Sequence, residues 1–139
     1  MDNRRMLEEL PRQEALRLLA SVTMGRVVFT QRTLPAIPPV PHILDEGDVI
    51  IRTSLTTPIV GTTEQSDPVV AYEADEIDAD TRTGWSVVVT GVAQPVRDPL
   101  DRARYEALLD CGADDPADCV LRIRPEIATG LRVTPYPEN

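Results

Sequence analysis

Apolar residues in this chain fall mostly in short runs separated by turn-forming residues, a pattern that predicts strands with few helices between them. The longest such stretch runs from Thr83 to Val96, with Val87, Val88 and Val89 at its centre. These residues branch at Cβ, which restricts side-chain rotation and favours a packed strand. An uninterrupted apolar run predicts a strand covered on both faces. Gly91 inside it leaves room for a bend or a close neighbour. Trp85, the only tryptophan, is either a plug for the core or a wall for a flat ligand, and area burial favours the plug.

The charged N-terminus leads into a helix opened by Pro11, with Glu14 near its positive end and Ala15, Leu16, Leu18 and Leu19 on an apolar face. It ends near Ser21. Arg26 to Thr30 reads as a strand, and Gln31-Arg32-Thr33 closes a hairpin. From Leu34 to Leu44, prolines at 35, 38, 39 and 41 remove N–H donors, so an edge strand or bulged extended segment is expected. Asp45-Glu46-Gly47-Asp48 is a turn, and Val49 to Thr53 is the next strand. Thr57-Pro58 resembles a helix cap and first position, predicting a short helix there. Val69 to Ala74 is a strand, followed by a solvated acidic loop from Asp75 to Asp80. After the central strand, Asp98-Pro99 opens a helix with Leu100, Ala103, Ala107 and Leu108 on one face. Cys111 to Asp118 is loop, Cys119 to Arg124 a strand, and Ile127 to Val133 a last short strand. This order predicts a mainly β fold, a small barrel with helices packed outside. Residues 1–139 form one domain, with residues 1–9 and 134–139 expected as flexible ends.

Composition narrows the function. A hydrophobic share of 42% and a charged share of 27% are those of a soluble globular protein. No run approaches the ~20 apolar residues of a membrane span, and no signal-peptide core follows Met1, so a cytoplasmic protein is expected. The net charge of −9 disfavours nucleic-acid binding, which needs cations facing phosphates. Lysine is absent, and arginine supplies all 14 basic side chains. Lysine Schiff-base chemistry is therefore excluded. Cys111 and Cys119 match no zinc spacing, and the acidic loop lacks the glycine and distal glutamate of a helix–loop–helix calcium site; no metal is expected.

No catalytic residue stands out. His42 is the only histidine, and no Gly-x-Ser-x-Gly elbow, Walker loop or Gly-x-Gly-x-x-Gly occurs. The more informative feature is Arg52-Thr53-Ser54 followed by Thr56-Thr57. An arginine fork leaving a strand toward hydroxyls and a helix start at Pro58 would make a phosphate cradle. An ordinary strand end with capping residues is the competing reading.

Four stretches, Gly25 to Phe29, Pro35 to His42, Ile51-Arg52-Thr53 and Thr83 to Gly91, resemble in order and spacing the pyridoxamine 5′-phosphate oxidase-like, FMN-binding split-barrel family, as does the closing Val120 to Pro125. The resemblance covers roughly Leu10 to Val133 and implies a six-stranded split barrel, a homodimer, and FMN in clefts between the subunits. It places the flavin ring against Ile37 to His42, with Pro39, Val40 and His42 as contacts, and the phosphate at Arg52, Thr53, Ser54, Thr56 and Thr57. Trp85 would wall the partner's cleft. The activity implied is a flavin-dependent oxidation or reduction of a small molecule.

This chain departs from the family pattern. Pro38 replaces the usual basic residue, Pro41 the asparagine before His42, and Thr56, Thr57 and Pro58 stand where a glycine, a small hydroxyl and the phosphate-binding lysine are usual. A charge-assisted hydrogen bond contributes ~1.5–3 kcal/mol, so losing two basic contacts weakens FMN binding by orders of magnitude unless Arg52 acts alone or Arg32 or Arg82 helps. The alternative is a degenerate barrel that has lost FMN, or holds a deazaflavin or haem, and serves as a binding module. Pyridoxamine phosphate oxidation itself is not expected, because no second phosphate-binding set can be placed.

Overall fold

A computed structural model describes residues 4–31, 34–54, 67–109 and 118–136. In chain order the elements are β1 (Arg5–Leu10), α1 (Arg12–Ala20), β2 (Met24–Gln31), β3 (Leu34–Ala36), β4 (Pro39–Asp45), β5 (Asp48–Ser54), β6 (Val69–Ile77), β7 (Gly84–Pro95), α2 (Pro99–Leu108), β8 (Asp118–Ile123) and β9 (Ile127–Pro135). All strand pairs are antiparallel. Strands β7, β6, β2, β4, β5 and β8 pair in sequence, and β8 returns to β7, which closes a six-stranded barrel. Outside the ring, β9 pairs with β7, β1 with β9, and β3 forms a hairpin with β2.

β7 is the hub because it has two partners along one edge. Gly84 to Thr90 pair with β9, and Ala93 to Pro95 pair with β8. The switch falls at Gly91, where a Cβ would lie 1.9 Å from the Arg124 carbonyl oxygen; only a glycine lets the β8–β9 link cross here. The expected close neighbour is thus present. Burial along β7 alternates, with Trp85, Val87, Val89 and Ala93 buried and Ser86, Val88, Thr90 and Val92 half-exposed. The run is therefore covered on one face of this chain, not two.

The barrel interior holds Val27, Phe29, Val40, Val49, Ile51, Tyr72, Val87, Val89, Leu121 and Ile123, and α1 closes it with Ala15, Leu18 and Leu19. A second apolar layer lies on the outside of β5 and β8, where Ile50 and Val120 meet Tyr105 and Leu109 of α2. The cap of α2 is the one expected: Asp98 accepts from the Leu100 and Asp101 amides, with Pro99 next. Its buried face is not. Leu100, Ala103, Ala107 and Leu108 are exposed, and Tyr105 and Leu109 face the barrel. The Tyr105 hydroxyl also donates to Asp45 (2.5 Å) and accepts from Arg122 (3.0 Å), and Arg122 reaches Asp48 (2.9 Å), hooking α2 to the β4–β5 turn. Tyr105 and Arg104 together hold the Asp45 carboxyl below its usual range.

Other expectations shift at the edges. Arg5 to Leu10 is a paired strand, not an unstructured lead, and β9 extends to Pro135. Asp75 to Ile77 continue β6, so the acidic loop begins only at Asp78, whose carboxylate accepts from the Asp80 and Thr81 amides. The proline-rich stretch is extended, interrupted between β3 and β4, as four missing donors require. The expected helix at Thr57-Pro58 lies outside the described residues, as do residues 32–33 of the first hairpin turn and most of the Cys111 to Asp118 loop. No helix among the described residues is long and apolar enough to cross a membrane.

Candidate functional site

The structure distributes the residues singled out in the sequence over several places. Val40, His42, Thr53 and Trp85 all point into the barrel and are buried. His42 is 1% exposed and ties three elements together: its Nε2 is 2.8 Å from the Leu19 carbonyl of α1, and its Nδ1 is 2.6 Å from the Tyr72 hydroxyl of β6. That hydroxyl also lies 2.9 Å from the Val40 carbonyl. Burial pushes the His42 imidazole below its ordinary pKa and the Tyr72 phenol far above its own. Trp85 belongs to the core cluster, so the plug reading describes its place in this chain.

Arg52 leaves β5 on the outer side, beneath α2. Its Nη1 donates to the carbonyl oxygens of Glu106 (2.9 Å) and Leu109 (3.0 Å). Carbonyls at a helix C-terminus have no partner within the helix and carry the negative end of its dipole, so the guanidinium acts as a cap for α2. The side chain of Ser54, and Thr56 and Thr57 entirely, lie outside the described residues.

Pro39, unlike the other described residues of the predicted set, lines a cleft. The cleft, about 230 Å³, is bounded by Met24, Gly25 and Arg26 of β2, Pro39 of β4, and Ala74 and Asp75 of β6. Register explains the grouping, since Arg26 pairs with Pro39 on one side and Glu73 on the other. Alternation along β2 turns Met24, Arg26 and Val28 outward while Gly25, Val27 and Phe29 pack inward. Gly25 forms the floor because a Cβ there would meet the Glu73 carbonyl at 2.5 Å and the Tyr72 ring at 2.6 Å. Met24, Arg26, Glu73 and Asp75 escaped the sequence reading. The available signal was Gly25-Arg26 itself, taken there as part of a strand and of the family resemblance but not as a binding site.

The cleft is charged on one side and apolar on the other. The Arg26 Nη1 lies 4.0 Å from Glu73 Oε1. That oxygen is buried and makes no hydrogen bond among the described residues. Desolvation, then the neighbouring Asp75 carboxylate, push the Glu73 carboxyl up to about 7, against the pull of Arg26. A second cleft, about 280 Å³, lies where β1 ends on β9, between Glu9, Leu10 and residues 128–131. It offers no cation. Among the described residues no group of three or more His, Cys, Asp or Glu side chains converges as metal ligands would.

Comparison with known proteins places this architecture. A family model described as pyridoxamine 5′-phosphate oxidase matches residues 11–132. The Mycobacterium tuberculosis protein Rv0080 is 52% identical over 132 residues, 93% of this chain and 87% of that one. The FAD-binding protein of Mycobacterium smegmatis is 30% identical, with 91% of this chain and 98% of that one covered and a TM-score of 0.70. An FAD-binding protein of Mesorhizobium loti is 20% identical and superposes with a TM-score of 0.80 over 94% of this chain and 99% of its own, a likeness of fold. The split barrel expected from the motifs is the fold observed, and the chain belongs to the pyridoxamine 5′-phosphate oxidase family.

Proposed function

We propose that this protein is a flavin-binding oxidoreductase for a small molecule, working in the cytoplasm as a homodimer whose subunits close the cleft between them. The reading rests on one observation: the cleft at Arg26 and Pro39 opens beside a sheet face that this chain leaves uncovered. Outward positions of that sheet include Leu7 and Val69, both 66% exposed, Ile127 at 58% and Ile77 at 52%, with Leu131 and Val88 between them. An exposed sheet face that carries this many large apolar side chains among polar ones marks an interaction surface, and symmetric dimers are the commonest way of covering one. Ligand sites usually measure ~300–1,000 Å³, so a cleft of about 230 Å³ needs a wall from outside the chain to hold a flavin.

The residues present fit such a group. Met24 and Pro39 offer apolar surface to a flat ring, and Arg26 offers a fork for a phosphate or for ring carbonyl oxygens. The flavin would supply the two-electron chemistry. This chain's residues would bind it, orient it and, with the second subunit, exclude water. FMN is the form expected from the motifs, and FAD is the form named for the M. smegmatis relative.

A second reading has its own support. Arg52 caps α2, and no lysine exists to replace it at a phosphate, which favours a barrel that has dropped flavin and binds something else. Visible absorbance of the purified protein, followed by titration with FMN and FAD, separates the two. A yellow protein, or tight uptake of either flavin that weakens in Arg26→Ala, supports the flavin reading. A colourless protein that takes up neither supports the second.

A further inference from the structure

We infer that the Arg26 cleft is a proton-coupled anion site: Arg26 takes a phosphate-bearing ligand when Glu73, its ion-pair partner, carries a proton. This deepens the flavin reading and rests on it. Glu73 and Asp75 sit two residues apart on β6 and so project from the same outward face, one beside the cleft and the other lining it. With both ionised, one guanidinium faces two carboxylates, and the local field repels an anion. With Glu73 protonated, the charges balance and the Arg26 fork is free to turn to phosphate.

The groups around Glu73 leave this pair in control. β2 contributes Arg26 at 4.0 Å, and β4 contributes Pro39 beyond it. β7 presents Val88 directly opposite, with Ser86 and Thr90 on either side, none of which titrates in the neutral range. Its own strand supplies Ala71 and Asp75 outward, and Tyr72 inward stays a phenol because burial, aided by the Glu73 charge, keeps its pKa high. The unbonded Oε1 of Glu73 is the natural resting place for the proton, since a buried carboxylate oxygen without a donor is costly. A midpoint near neutrality makes the switch operate under ordinary conditions.

The test is the affinity of the full-length protein for FAD at pH 6 and pH 8, in wild type and in Glu73→Gln. FAD is the probe because its diphosphate bridge stays ionised across this range, so any slope belongs to the protein. If only the form with Glu73 protonated admits the anion, the wild-type Kd rises about tenfold from pH 6 to pH 8. Glu73→Gln, which mimics the protonated carboxyl, binds at both pH values as wild type does at pH 6. Binding without a pH slope, or a slope that survives in Glu73→Gln, overturns the proton coupling and leaves the flavin reading standing. Failure of wild type and variant to bind FAD at either pH overturns the proton coupling, and failure to bind FMN as well overturns the flavin reading with it.

Discussion

A single buried imidazole joins three pieces of this barrel, and its hydrogen bonds must share a limited supply of protons. The Leu19 carbonyl can only accept, so His42 Nε2 carries hydrogen and, in the neutral ring, Nδ1 does not. The Tyr72 hydroxyl then has one proton for both Nδ1 and the Val40 carbonyl. Replacing His42 with alanine removes one hydrogen bond from the Leu19 carbonyl and one from the Tyr72 hydroxyl, which keeps the Val40 carbonyl; at about 0.5–1.5 kcal/mol for each bond, urea denaturation should register the loss. The pH dependence has a definite sign. Burial lowers the folded pKa of His42 from its ordinary 6.5, so its neutral form is favoured in the fold. Its stabilising contribution is present above that value and fades as pH falls through the lower, folded pKa. Wild type should therefore lose more stability than His42→Ala on acidification through this range, a difference read from melting curves. His42 was singled out as a flavin contact because the family resemblance sets the flavin ring against Ile37 to His42. Its inward direction followed from pairing with Ile51 in β5, which no local pattern reveals.

Among the elements, those set by local chemistry were legible and those set by distant partners were not. Asp98-Pro99 announces α2 through its own cap, and Glu46-Gly47, both in the left-handed region, make the tight turn between β4 and β5. β1 was missed because Arg5 to Leu10 buries only Leu10 and owes its extended form to pairing with β9, more than a hundred residues away. The face of α2 was misassigned for the same reason: the barrel wall took Tyr105, whose hydroxyl finds Asp45 and Arg122, over the more apolar stripe through Leu100. Arg52 is the clearest case. Read locally it is a phosphate ligand; in the fold it holds the C-terminal carbonyls of α2. Arg52→Ala should lower unfolding free energy by about 1.5–3 kcal/mol, measured in urea, through loss of a charged hydrogen-bond donor. Gly91→Ala should be more severe and shift the thermal midpoint strongly downward, because the added Cβ meets backbone, which cannot move aside without parting β8 from β9.

At the scale of the whole molecule, the uncovered sheet face carries the strongest prediction. The sequence led us to expect Val87 to Val89 in a strand covered on both sides, and the chain by itself covers one. If a second copy covers the other, Leu131→Glu should yield a monomer by size-exclusion chromatography with light scattering. Flavin uptake should fall with it, since the cleft would lose its outer wall. Leu131 is 40% exposed, so this change spares the barrel's own core. A Leu131→Glu protein that stays dimeric would remove this face from the interface. The succession of strands after α1, the long valine strand and the cap of α2 were legible in the sequence alone, because each is written in neighbouring residues through rotamer restriction or hydrogen-bond supply; Gly91 announced a bend or a close neighbour, and the fold made it the crossing of the β8–β9 link. Which way His42, Arg52 and Trp85 point, and that Arg26, Pro39, Glu73 and Asp75 meet at one cleft, only the tertiary structure decided. Closing a barrel sets register between strands far apart in the chain, and register is what turns a side chain inward or out.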